Sequence, residues 1–188
     1  MLRTALLPAL GISLTMLAAG VTADNSHLTI RVFAELVPAN EVPSVSSGAR
    51  GRFKATIDRE NQTISYEVSY EGLEDVTTQA HIHLGQRHTL GGVSVFLCGN
   101  APAVPPAPFP APPACPLSPA TVTGVLTPAN VVGPNNQGIA PSLNGVNEFD
   151  ELVEAILSGD TYANVHSAKF AGGEVRGQIR TDERHGKH

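Results

Sequence analysis

The stretch Ala80-His81-Ile82-His83-Leu84-Gly85 alternates polar and apolar side chains and ends at a glycine. This alternation is typical of a β-strand, in which successive side chains point to opposite faces. His81 and His83 therefore leave one face of the strand, and Ile82 leaves the other. The stretch predicts a rigid element that places two imidazole rings side by side.

A third histidine, His166, lies in a second strand-like run at residues 162–167. Neutral imidazole is a ligand for both copper and zinc, and three protein ligands leave one coordination position open. We therefore predict that the three histidines form a copper or zinc site. The alternative is that they are sheet histidines that hydrogen-bond to the backbone and to Asn164 or Glu41.

Other short runs along the chain show the same period of two, which is typical of half-buried strands. One late run has helical spacing and predicts a helix at about residues 148–158, with Asn147 as its cap. About seven to nine strands and a single helix predict an all-β fold, either an antiparallel β-sandwich or a flattened Greek-key barrel. The predicted strands outside the histidine runs are residues 27–36, 51–58, 63–70, 93–98, 121–126 and 174–181.

The first residues combine one arginine, a short apolar run and a small-residue end at Ala23. This pattern predicts a secretory signal peptide, residues 1–23, followed by one domain at 24–181 and a flexible tail at 182–188. The alternative is a single membrane helix, which needs about 20 apolar residues. With the signal removed, the chain has no predicted membrane span and is expected in the periplasm or outside the cell.

Charge and cysteine content restrict the function further. The formal net charge is −5, so the chain lacks the basic surface that nucleic-acid binding needs. In an oxidising compartment the two cysteines, Cys98 and Cys115, are expected to form a disulfide. This disulfide would close a loop at residues 98–119, where nine prolines between Asn100 and Pro119 predict an extended surface segment.

Four ordered motifs resemble the CHRD domain, a family first named from chordin and widespread in secreted microbial proteins. The resemblance covers about residues 28–180 and implies a secreted domain. The expected partner is an unknown extracellular protein or surface component. The motifs are residues 33–36 with 40–43, 80–85, 159–167 and 173–179.

The His-x-His strand, the later Val-His strand and the closing Gly-x-x-Arg-Gly segment are also similar to copper–zinc superoxide dismutase. This more distant resemblance implies that His81, His83 and His166 correspond to copper ligands. It places His88 where the dismutase has its bridging histidine. A copper-dependent oxidoreductase is therefore an alternative function.

Three charged residues, Glu41, Glu174 and Arg176, belong to the family-like motifs. They can orient the histidines together with Asn164, or they can form an ion-pair network that pins the bend at residues 40–43 to the last strand. No nucleophile elbow or phosphate-binding loop is present in the sequence, so we predict no catalytic residue. The leading prediction is a non-catalytic extracytoplasmic binding module with a metal site, and a metal-free cell-surface or matrix interaction domain is the alternative.

Overall fold

The structure, a computed structural model, describes residues 29–182. The predicted signal peptide and the tail from residue 183 onward lie outside these residues. Within them, no helix is both long and apolar enough to cross a membrane. The strands are β1 Thr29–Leu36, β2 Arg50–Asp58, β3 Thr63–Glu71, β4 Thr77–Leu84, β5 Gly92–Gly99, β6 Ala120–Leu126, β7 Thr161–Ser167, β8 Val175–Gln178 and β9 Arg180–Thr181, and the helix is α1 Phe149–Leu157.

Two antiparallel sheets form a β-sandwich, which confirms the predicted fold class. The first sheet has the strand order β6-β3-β2-β1-β9 and the second has the order β5-β4-β7-β8. The described residues form no closed barrel, and an isolated bridge between Val37 and Arg176 links the two sheets. The predicted last strand, 174–181, is divided: β8 pairs with β7 in the second sheet, whereas β9 pairs with β1 in the first.

The core lies between the sheets, where the period-two pattern places apolar side chains. The hairpin of β2 and β3 contributes alternate residues such as Phe53 and Ile64, both fully buried. Helix α1 buries one stripe, including Phe149 and Ile156, and agrees with the predicted range within one residue at each end. Asn147 precedes the cap position, and its Oδ1 accepts a hydrogen bond of 3.1 Å from the Phe149 N–H.

The proline-rich segment is tied to the sandwich by the predicted disulfide between Cys98 and Cys115, which is confirmed. Asn100 adds a second fastening, because its side chain accepts a hydrogen bond from the Cys115 N–H and donates one to the Cys115 carbonyl, at 3.1 and 2.8 Å. The Tyr70 hydroxyl donates to the Pro116 carbonyl at 2.7 Å. The segment is therefore an anchored surface loop.

The second sheet is buried on both faces, although only one of them is apolar. Ala80, Ile82 and Ala163 face the core. The register places His81 opposite Asn164 and His83 opposite Tyr162. Since directly paired residues share a face, these polar side chains lie together on the outer face, where they are at most 8% exposed. Loops that follow β1, β4 and β7 cover this polar layer.

Candidate metal centre

Three histidines on the outer face of the second sheet converge on one point. His81, His83 and His166 each offer one ring nitrogen, and these nitrogens lie within 4.8 Å of one another. Irregularities in the β4–β5 ladder fall next to His81 and His83. Such irregularities re-aim side chains. The three histidine residues are 2%, 8% and 5% exposed, respectively.

Backbone carbonyl groups orient two of these rings. His83 Nδ1 lies 2.9 Å from the Gly91 carbonyl oxygen, and His166 Nδ1 lies 3.0 Å from the Ala171 carbonyl oxygen. A carbonyl oxygen only accepts hydrogen bonds, so His83 Nδ1 carries the proton, and His83 Nε2 presents the lone pair that a metal ion binds. His166 has an acceptor at both ring nitrogens, because Asn164 Oδ1 lies 3.1 Å from its Nε2.

His81 completes the cluster. Its Nδ1 lies 3.2 Å from His166 Nε2. The same spacing suits two ligands of one ion, because bonds of about 2 Å place ligand nitrogens about 3–4 Å apart. The Nε2 atoms of His81 and His83 are buried and have no hydrogen-bond partner. A buried polar atom without a partner costs free energy, and a cation beside His166 Nε2 would supply a partner to His83 Nε2. His81 would bind that cation through Nδ1, with its proton on Nε2.

All three histidines are held neutral by their surroundings. Burial lowers the pKa of His83 to about 4. Burial also lowers the pKa of His166, and it lowers that of His81 well below its ordinary value, with the charges of the other two histidines adding to the effect. Near pH 7 the three imidazoles therefore carry no positive charge, and none of them would have to lose an extra proton before it binds a metal ion.

Aromatic rings hold the imidazoles in place. Tyr162 stacks on His83 with 4.7 Å between ring centroids and 3° between planes. Phe96 meets the His81 ring edge-on at 4.4 Å. Tyr162 is not among the site residues predicted from the sequence, although its position directly opposite His83 follows once the two strands are paired in register.

Asn164 and Glu41 border the cluster, as one of the sequence alternatives predicts. Asn164 Oδ1 lies 3.1 Å from His166 Nε2. The Asn164 side chain also forms a hydrogen bond with the Glu41 side chain. Glu41 is buried, with 5% of its surface exposed. Burial raises the pKa of Glu41 to about 7, although the Arg176 charge and the Asn164 hydrogen bond act in the opposite direction.

Glu174 and Arg176 contact residues other than the three histidines. Glu174 Oε1 accepts hydrogen bonds from Ser47 Oγ and from the Glu74 N–H, at 2.9 and 3.0 Å. Arg176 lies over the Tyr162 ring, with its Cζ atom 3.4 Å from the centroid.

The bend after β1 is attached to β8 through neutral groups. Arg176 exchanges backbone hydrogen bonds with Val37, and its carbonyl oxygen accepts from Asn40 Nδ2 at 3.2 Å. Among the described residues, no ion pair joins Glu41, Glu174 and Arg176. Backbone and amide contacts therefore perform the pinning that the ion-pair alternative assigned to charges.

His88, which the dismutase resemblance included among the ligands, lies on the exposed loop after β4. The loop that carries it also supplies the Gly91 carbonyl that fixes the His83 ring. The structure brings together three of the four predicted ligands and leaves His88 outside the cluster.

Gly173 gives the Glu41 carboxyl group its space. A Cβ atom at Gly173 would lie 2.4 Å from Glu41 Oε1, and the glycine has a φ of +125°. A Cβ at the neighbouring Gly172 would meet nothing within 4 Å.

Gly173→Ala is therefore expected to lower the free energy of unfolding by about 2 kcal/mol through overpacking and backbone strain. Gly172→Ala is the matched control and should change it by less than about 0.5 kcal/mol. Urea denaturation of the two variants measures both values. Equal stabilities would show that Glu41 does not occupy the space beside Gly173.

Comparison with known proteins agrees with this fold. The family model described as the CHRD domain matches residues 32–179, which include all three histidines. No curated protein and no solved structure matches the chain. The similarity to copper–zinc superoxide dismutase is not shown by these comparisons and stays a prediction. The extent of the family match establishes that this chain belongs to the CHRD domain family.

Proposed function

We propose that this CHRD domain is a non-catalytic extracytoplasmic binding module in which His81, His83 and His166 bind one copper or zinc ion. One observation carries the proposal: three neutral, buried imidazoles place ring nitrogens within 4.8 Å of one another, and two of the rings have a nitrogen without a partner. A purely structural set of sheet histidines would be expected to satisfy these nitrogens.

Burial supports a binding role over a catalytic one. Catalytic metal sites keep a coordination position that substrate can reach. Here the three ligands are at most 8% exposed, and Phe96 and Tyr162 pack against the rings. The distances also require movement, because a pair of nitrogens 4.8 Å apart must close by about 1 Å to share bonds of about 2 Å.

Metal titration of the processed, tag-free protein tests the proposal. His185 and His188 in the tail should first be replaced by alanine, so that they do not bind metal themselves. We expect one equivalent of copper or zinc per chain in this background. His83→Ala and His166→Ala should each weaken binding by more than about a hundredfold, since loss of even an outer partner of a ligand costs about ten- to a hundredfold.

His88→Ala is the matched control, because it removes an exposed histidine from the loop next to the site and should leave the affinity unchanged. Negligible binding in the parent protein would contradict the proposal and favour a metal-free interaction domain. Turnover of superoxide or peroxide by the loaded protein would instead favour the oxidoreductase that the dismutase resemblance implies.

A further inference from the structure

A small notch opens beside the second sheet, and Arg176, which packs over the Tyr162 ring, is one of its lining residues. Its lining residues come from the bend after β1, the loop after β4, and strand β8. The notch has room for roughly one water-sized group, about 10 Å³. Its lining residues are Asn40, Arg87, His88, Arg176 and Gln178.

Arg176 brings a buried positive charge to this notch. The residue is 2% exposed, and its Nη2 donates to the Gln86 carbonyl oxygen at 3.0 Å. Its Nη1 is buried and has no hydrogen-bond partner. A buried charge is costly unless it is paired and fully hydrogen-bonded. The structure therefore leaves one strong donor without a partner in Arg176, a residue that lines the notch.

Charges around Arg176 do not balance it fully. Glu41 faces the guanidinium, but its buried carboxyl group has a pKa of about 7 and is only partly ionised near neutral pH. Arg87 is exposed at the notch and adds a second positive charge. The local field in the notch is therefore positive, which favours an anion.

Fixed amide groups give the notch a defined shape. Asn40 Nδ2 donates to the Arg176 carbonyl oxygen. Gln178 Nε2 donates to the carbonyl oxygens of Gly85 and Gly159, at 2.9 and 2.7 Å. These hydrogen bonds hold the side chains that border the guanidinium, so the notch is formed before any ligand arrives.

We propose that this notch binds one carboxylate group, with the Arg176 guanidinium as the buried charge and Arg87 as the exposed charge. The notch has room for about one oxygen atom of an anion. The carboxylate can belong to a free small anion or to an acidic side chain of a protein partner. The proposal does not depend on the metal site, since none of the histidines of that site lines the notch.

Nuclear magnetic resonance titration of the metal-free, full-length protein with formate tests the proposal. Ionic strength is held constant with a bulky sulfonate, and titration with the sulfonate alone is the control for non-specific anion effects. We expect saturable shifts of the backbone amides of Gln86, Arg87 and His88. A blocked glutamate peptide as a second probe distinguishes the sources: binding of both probes indicates a protein carboxylate, and binding of formate alone indicates a free anion.

Arg87→Gln is expected to weaken formate binding about two- to fivefold, as for loss of one exposed charge. Arg176→Lys keeps the charge but loses the second donor, and should abolish the saturable shifts while the spectrum remains that of a folded protein. Arg180→Gln, an exposed arginine on the other sheet, is the control and should change nothing. Absence of saturable shifts in the parent protein, or equal formate affinity in the parent and Arg87→Gln, would overturn the proposal.

Discussion

Lowering the pH of the metal-free protein from 6.5 to 4 is expected to remove about 3 kcal/mol of folding free energy through His83 alone. In the unfolded chain His83 takes up a proton near pH 6.5, whereas burial holds its pKa in the folded protein at about 4. Across this window the unfolded state binds more protons, so stability falls as the pH falls. His81 and His166 add losses of the same sign, because burial lowers the pKa of both.

Urea denaturation at a series of pH values isolates this contribution. The difference in unfolding free energy between the parent protein and His83→Gln should change by about 3 kcal/mol between pH 6.5 and 4. His88→Gln removes an exposed histidine and is the control. If the profiles of the parent protein and His83→Gln run parallel, the imidazole of His83 is not held neutral by burial.

Glu41→Gln is expected to increase the loss of stability on acidification by about 3 kcal/mol between pH 7 and 4.5. Burial raises the pKa of Glu41 to about 7, so in this window the folded state binds more protons than the unfolded state does. Its stabilising contribution is therefore complete below pH 4.5 and is lost as the pH rises through 7. In the parent protein the stability gained through Glu41 on acidification offsets the stability lost through His83.

The same denaturation series measures the effect of Glu41, with Glu60→Gln as the control. Glu60 lies on the exposed turn between β2 and β3. A Glu41→Gln profile that matches the parent protein would show that Glu41 is ionised in the folded state over the whole range. The Arg176 charge would then outweigh burial.

Much of the fold could be predicted because strand residues alternate with period two. The hairpin of β2 and β3 and the strand that carries His81 and His83 follow from this pattern alone. The switch of the last strand between sheets could not be predicted, because Ile179 and its neighbours continue the alternation across the break. Burial of the polar outer face also left no local signal, since loops distant in sequence cover it.

The histidine ligands of the candidate site could be predicted from the sequence, but the groups that orient their rings could not. His81 and His83 are two residues apart on a strand, and His166 joins them through the motif order of the family. The groups that orient the rings are backbone carbonyls of Gly91 and Ala171, which any residue type could supply. His88 was chosen by resemblance, and no pattern in the sequence indicates which way its loop turns.

X-ray absorption of the zinc-loaded protein at the zinc edge tests the central claim most directly. If His81, His83 and His166 share one ion, the spectrum should show three imidazole nitrogens at about 2.0–2.1 Å. His83→Ala should reduce that number or abolish zinc binding, and His88→Ala should leave it unchanged. A spectrum with oxygen ligands only, or one that His83→Ala does not alter, would contradict a metal centre on the outer face of this sheet.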